Sequence, residues 1–238
     1  MNSTRSSTQI RLRPHDQRLH TRIGWLDSWH SFSFGHHYDP AWMGHRALRV
    51  INDDIVAPGA GFDWHGHKDM EIITWVLSGA LQHRDDTGAE GIIRPGEAQH
   101  MRAGRGIRHG EWNASKDEPV RLLQIWLMPN QLNLDPGHRQ EQIPVDSQRG
   151  VWLPIAGGDH APLPMAADGQ VQVAQGPGTL PIVIADGDSW WLHLATGSAQ
   201  LPELDRTLSA GDGLAIDGPW KGSLSLGDDG QVLAFLLT

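Results

Sequence analysis

The amino-acid sequence predicts an all-β protein made of two barrel domains. Three observations predict it. The 28 glycines and 15 prolines recur between short apolar runs, helical periodicity is weak throughout, and one polar, turn-rich stretch divides the 238 residues in two. A chain of this length suits two small domains better than one large one.

The apolar runs Ala47–Ile51, Ile72–Leu77, Leu122–Met128, Ile182–Ala185 and Val232–Leu237 have the length of single strands, and their glycine and proline borders favour a sandwich or barrel over a βαβ design. Between Leu81–Asp85 and Glu90–Arg94, the triplet Asp86-Thr87-Gly88 suits a hairpin with glycine at a positive φ. Pro95-Gly96 then ends the second strand. The polar stretch PNQLNLDPGHRQEQIPVDSQRG, Pro129 to Gly150, reads as the connection, giving domains 1–135 and 136–238. The second half repeats the style of the first, in WWLHLATGSAQL, LSAGDGLAI and GQVLAFLL, without a residue-by-residue repeat.

Composition removes several classes of function. With no cysteine, the chain has no disulfide, thiolate ligand or thiol nucleophile, so any metal must sit on imidazole and oxygen donors. A net charge of -9 argues against a nucleic acid or an anionic membrane as partner. No run of about 18 apolar residues occurs, and the opening MNSTRSSTQIRLRPHDQRLHTR lacks the apolar core of a secretory signal. That opening reads as a disordered or tucked-in tail rather than a transit peptide, and the expected setting is the cytoplasm.

The chemistry is expected in the first half, because twelve of the 14 histidines lie at or before His138. In GAGFDWHGHKDME, Gly59 to Glu71, His65 and His67 stand two residues apart, and on a strand both imidazoles project from one face. A second such pair, His109 and Glu111 in GRGIRHGEWN, follows on a later strand. Two such strands facing each other across a small barrel bring three imidazoles and one carboxylate to a shared point. This donor set suits iron(II), manganese, nickel, copper or zinc without choosing among them.

Both elements match the cupin pattern, Gly-x5-His-x-His-x3-Glu from Gly59 to Glu71 and His-x3-Asn from His109 to Asn113. Cupins are small jelly-roll barrels. More narrowly, GWLDSWHSFSFGHHYDP, ALRVINDD, HGHKDMEIITWVLSG, MRAGRGIRHGEWN and LLQIWLMP, spanning Gly24 to Pro129, closely resemble the pirin family. The resemblance implies a bicupin with one mononuclear site in the N-terminal barrel, ligated by His65, His67, His109 and Glu111. It also implies iron(II), with copper, nickel, cobalt, manganese or zinc as alternatives. Bacterial members similar to this chain act as quercetin 2,3-dioxygenases, so the implied substrates are a quercetin-like flavonol and O2. Four protein ligands leave positions open for substrate or dioxygen, and Glu111 is the candidate base for the flavonol 3-hydroxyl. The rival reading, drawn from the animal relatives, is a non-enzymatic metal or redox sensor acting through a protein partner. A cupin isomerase or sugar-binding cupin fits the pirin-like motifs less well.

The remaining candidates have plainer readings. Glu71 keeps the strand parity of His67 and faces the site if no bulge intervenes, but the pirin pattern uses Glu111, so Glu71 reads as a supporting residue. His30, His36, His37 and His45 read as surface or supporting histidines. Trp64, Trp75, Trp112 and Trp126 either line an apolar pocket or fill the core. Arg102, Arg105 and Arg108 read as a solvated loop, and His193, without a ligand-type partner two residues away, as a half-buried strand residue in a metal-free second barrel.

Overall fold

Strands form where β-branched and aromatic residues alternate, because burying every second side chain leaves the backbone to pair sideways. The computed structural model describes residues 8–238, and these fold into β1 (Gln9–Arg13), β2 (Leu19–Ile23), β3 (Leu26–His30), β4 (Leu48–Val56), β5 (Gly61–His67), β6 (Glu71–Ser78), β7 (Leu81–Asp85), β8 (Glu90–Ile93), β9 (Glu97–Arg102), β10 (Ile107–Asn113), β11 (Val120–Leu127), β12 (Gly137–Gln142), β13 (Leu153–Ala156), β14 (Gln170–Gln175), β15 (Gly178–Ile184), β16 (Ser189–Thr196), β17 (Ser198–Leu201), β18 (Arg206–Ser209), β19 (Gly213–Asp217), β20 (Trp220–Leu226) and β21 (Gln231–Leu237). Among the described residues the only helical segments are two single 3-10 turns, His15–Gln17 and Pro202–Leu204. None is long and apolar enough to cross a membrane.

The chain divides into two compact units, one of Arg18–Ile143 with Ile155–Asp168, the other of residues up to Gln17, Pro144–Pro154 and Gly169–Thr238. The first contains a seven-stranded sheet, β12-β9-β6-β11-β4-β3-β2, and a four-stranded sheet, β5-β10-β7-β8. The second contains β1-β19-β16-β21-β14 of a six-stranded sheet whose last strand, β13, runs across the boundary at Pro154, and a four-stranded sheet, β15-β20-β17-β18. Each is the predicted two-sheet barrel. The hairpin at Gly88 forms with its φ at 92° and joins β7 to β8.

The units are not consecutive in sequence, so the single break expected between residues 135 and 136 does not describe them. The connecting stretch yields β12, which pairs with β9 from Gly137↔Arg102 to Gln142↔Glu97. Its residues GHRQEQ show no apolar alternation, and this edge position needs none. The opening segment also forms structure: β1 pairs with β19 from Gln9↔Asp217 to Arg13↔Gly213. Residues 1–7 of the expected tail lie outside the described residues.

Inside the first barrel, two apolar clusters flank a polar belt. One gathers Val56, Val76, Leu81, Ile93, Val120 and Leu122, the other Ile72, Met101, Ala103 and Ile107 with Trp126 packed against them. Between them, pairing aligns His30, Asn52, Gln124, Thr74 and Gln99 in one row across β3, β4, β11, β6 and β9. Among the described residues of the second barrel, one cluster of buried apolar residues runs through the interior. Leu81, fully buried at the start of β7, joins both sheets of the first barrel. Leu81→Ala is expected to lower unfolding free energy by about 2–5 kcal/mol, measured as an earlier transition in urea.

Candidate metal centre and its cavity

His109 meets the candidate pair His65 and His67 because β5 and β10 are antiparallel neighbours, with His109 opposite His65 and Ile107 opposite His67. The motif spacing predicts strands that face each other across the barrel; they lie side by side in one sheet, which draws the rings closer. His67 Nε2 is 3.0 Å from His109 Nε2, and His109 Nε2 is 3.1 Å from His65 Nε2. Between the two site residues of β10, Gly110 is required, because a Cβ there would run into the Trp112 indole. Trp112 thereby covers the outer side of the strand while His109 and Glu111 face inward.

Hydrogen bonds on the far side of each ring fix which nitrogen faces the centre. His65 Nδ1 donates to the Asp63 carbonyl at 2.7 Å, leaving its Nε2 as a lone pair. His109 Nδ1 lies 3.4 Å from His83 Nδ1, and His83 Nε2 donates to Asp85 Oδ2 at 3.0 Å. In that chain His109 Nδ1 is the donor, so its Nε2 also presents a lone pair to its neighbours. Lone pairs 3.1 Å apart repel unless a cation lies between them. Two nitrogens about 2.1 Å from one ion and about 90° apart would be separated by about 3.0 Å, so the spacing fits a bound transition metal.

Electrostatics agree with that fit. Burial, then the neighbouring His65, lowers the His67 pKa to about 4. Burial, then His65 and His67, lowers His109 further, so both imidazoles are neutral donors at pH 7. Burial pushes the Glu111 carboxyl up to about 7 despite hydrogen bonds from Gln124 and Thr74, and a neighbouring cation acts in the opposite direction. Glu111 Oε2 accepts from Gln124 Nε2 at 2.8 Å, and Thr74 Oγ1 lies 3.4 Å from Oε1. The three imidazoles form one group of potential ligand atoms, and Glu111 falls in a second with His83 and His109. His109 belongs to both.

These residues line a cavity of about 220 Å³, whose walls include Phe34, Phe62, Ile72 and Trp126. Trp126 stands edge-on to His67, with ring centroids 4.9 Å apart. Apolar aromatic walls with a few convergent polar groups are the usual make-up of a small-molecule site.

Comparison with known proteins places this arrangement. A family model described as Pirin matches residues 12–127. Over 236 residues, 95% of this chain and 97% of the relative, the sequence is 39% identical to a quercetin 2,3-dioxygenase of Escherichia coli strain K12. The chain belongs to the pirin family. Its fold superposes on the crystal structure of YhhW from Escherichia coli with a TM-score of 0.90 and 37% identity, covering 97% of this chain and 98% of that one. Bacterial pirin YhhW in complex with nickel(II), also from Escherichia coli, matches with a TM-score of 0.88 and 38% identity, covering 96% of this chain and 99% of that one. The expected bicupin fold is therefore the fold of this pirin.

Glu71 keeps the supporting role read from the sequence, while several other residues fall differently from their reading. Glu71 points away from the cavity, because the turn through Asp69, with φ at 48°, resets strand parity between β5 and β6. It accepts from His100 Nε2 at 2.6 Å, Arg102 Nε at 3.2 Å and the Ala166 amide at 3.1 Å. His30, His36 and His37 line the cavity, and His30 is buried. Among the four tryptophans singled out, Trp126 lines it, Trp75 is core, and Trp64 is exposed. Arg102 and Arg105 engage Glu71 and Asp135, and none of the three arginines borders the cavity. His193 is fully buried rather than half-buried.

Four residues of the site, His83, Asp85, Thr74 and Gln124, escape the sequence motifs. A signal existed for the first two, since His83-x-Asp85 is a third pair of ligand-type residues at strand spacing. Thr74 and Gln124 gave none beyond being single polar residues inside apolar strands.

The Glu71 cluster makes a pH-dependent contribution to stability. Burial alone pushes its carboxyl up, but the His100 hydrogen bond and charge, the Ala166 amide and Arg102 outweigh it and hold the pKa below the usual range. A depressed folded value adds stability that is complete above the unfolded pKa of about 4.3 and is lost as pH falls through the folded value. Glu71→Gln is expected to cost about 1–3 kcal/mol at pH 7, with the gap to wild type closing below about pH 4 in thermal denaturation scans.

Proposed function

We propose that this pirin is a metal-dependent dioxygenase that oxidatively cleaves quercetin-like flavonols with O2, using one iron(II) held by His65, His67, His109 and Glu111. The observation that carries the reading is the convergence of three imidazole nitrogens at 3.0 and 3.1 Å on an aromatic-walled cavity. The relative named quercetin 2,3-dioxygenase supports the substrate class. The nickel(II) complex of YhhW supports a divalent metal, and copper, nickel, cobalt, manganese or zinc suit the same donors. We assign the cytoplasm as the setting, with which the lack of a run of about 18 apolar residues is compatible.

When bound, the ion supplies a Lewis-acidic, redox-active contact for oxygen donors. The protein does the rest. Phe34, Phe62, Ile72 and Trp126 receive the flat rings and exclude water. Glu111 takes the proton of the flavonol 3-hydroxyl at one carboxylate oxygen while Gln124 holds the other. The His83–Asp85 pair keeps His109 Nδ1 protonated, so its Nε2 stays a donor.

Glu111→Gln keeps an oxygen donor but cannot take a proton. Oxygen consumption with quercetin is expected to fall by about 10²–10⁴-fold while most of the metal is retained. His67→Ala and His109→Ala are expected to lose both metal and activity, with stoichiometry and oxygen uptake measured on the same samples. Wild-type protein that consumes no oxygen with any flavonol, loaded in turn with iron, copper, nickel, cobalt and manganese, would favour the non-enzymatic sensor.

His83→Ala is expected to weaken nickel(II) binding about 10–100-fold in calorimetric titration, and His83→Gln to recover part of the loss. An unchanged affinity in His83→Ala would mean that the pair does not hold His109.

A further inference from the structure

Most polar groups on the cavity wall are already committed to one another. On the seven-stranded side, His30 Nδ1 is 2.8 Å from Asn52 Oδ1, and Thr21 Oγ1 lies 2.9 Å from both His30 Nε2 and His37 Nε2. Thr74 donates to Gln124 Oε1 at 3.0 Å, and Gln124 donates to Glu111. Two cavity-lining residues break the pattern. Asp54 Oδ1 and the Trp126 indole N–H are buried and have no hydrogen-bond partner in the protein.

Asp54 is 3% exposed. A buried carboxyl oxygen without a donor is costly and rare in a folded protein, and on the wall of a substrate-sized cavity it is acceptor capacity for whatever enters. The rest of the cavity narrows the choice of ligand. Burial, then the neighbouring Asp53 and Glu111 carboxyls, pushes Asp54 up to about 7 against the Ser28 hydrogen bond, so the site already disfavours negative charge and a carboxylate or phosphate is a poor occupant. The aromatic walls favour a flat ring system. A neutral phenolic hydroxyl is the donor that satisfies both conditions.

We propose that Asp54 determines specificity: its Oδ1 accepts a hydrogen bond from a hydroxyl on the aromatic substrate, remote from the oxygen that meets the imidazoles, while the Trp126 indole donates to a second oxygen of the same molecule. This rests on the cavity being the flavonol site. Asp54 is a reader of substrate hydroxylation and takes no part in proton transfer at the reacting carbon. Its strand neighbour Ser28 hydrogen-bonds the carboxyl and keeps it turned in a defined direction. Ser28 and Asp54 are directly paired between β3 and β4.

The test compares quercetin with 3-hydroxyflavone, which keeps the hydroxyl beside the carbonyl and lacks the others. Dissociation constants are read from tryptophan quenching of nickel-loaded protein under argon, so that binding is measured without turnover. Wild type is expected to prefer quercetin by at least about tenfold, the factor that one unsatisfied buried polar group commands. Asp54→Ala should bring the two constants together, with metal content and 3-hydroxyflavone binding unchanged, and should raise KM for quercetin more than it lowers kcat. Asp54→Asn keeps the size and one acceptor oxygen; an intermediate preference is expected, and this variant decides the matter if Asp54→Ala does not fold. A wild-type protein without the preference, or variants that retain it in full, overturn the proposal. If the preference collapses in the variants while iron-loaded wild type consumes no oxygen, Asp54 reads the ligand and the dioxygenase assignment falls. If wild type takes up oxygen and both variants keep the preference intact, the dioxygenase assignment stands and Asp54 is not its reader.

Discussion

A polar side chain inside a β-barrel has lost its water, so it must be satisfied by its neighbours or by a bound ion. The first barrel accepts this constraint along one level. His30, Asn52, Gln124, Thr74 and Gln99 stand in register across five strands, with apolar clusters on either side. Gln124 and Thr74 reach across the barrel to Glu111, and Gln99 approaches His83 at 3.4 Å. The site on β5, β7 and β10 is thus anchored to the opposite sheet by side chains whose spacing is set by strand pairing. A slip of one residue in β11 would turn Gln124 outward and take the Glu111 contact with it.

The second barrel shows what the same architecture does without that level. Trp190, Leu192 and Leu194 of β16, Leu214 and Ile216 of β19, and Val232 and Ala234 of β21 belong to a continuous apolar interior. His193 is buried beside them on β16. The two halves share a fold and differ in what their interiors must neutralise, which is why function follows from the side chains and not from the architecture.

Much of this was legible in the sequence. The spacing of His65 with His67 and of His109 with Glu111 was enough to place each pair on one face of its strand, because period-2 alternation in a strand survives almost any tertiary context. The turn at Gly88 was readable for the same reason, since backbone sterics act locally. The polar strands β1 and β12 were not, because an edge strand buries little and its pairing partner is chosen by distant residues. Glu71 shows where that rule stops, and why the family pattern was the better guide to it. Its parity with His67 pointed into the site, but parity holds only along an unbroken strand, and the left-handed residue Asp69 breaks it. The commitments of Thr74 and Gln124, and the lack of one at Asp54 Oδ1, depend on cross-strand register, which no single segment encodes.

The pairing of β1 with β19 also shapes how the chain is made. Gln9 meets Asp217 and Arg13 meets Gly213, so the pairing partner of β1 is synthesised some two hundred residues after it. At about 5–20 residues per second, the nascent segment waits about 10–40 s for its sheet. A strand left that long beside other nascent chains invites intermolecular pairing. The sequence QIRLR places Arg11 and Arg13 among its apolar residues, and like-charged arginines discourage two copies from zipping together.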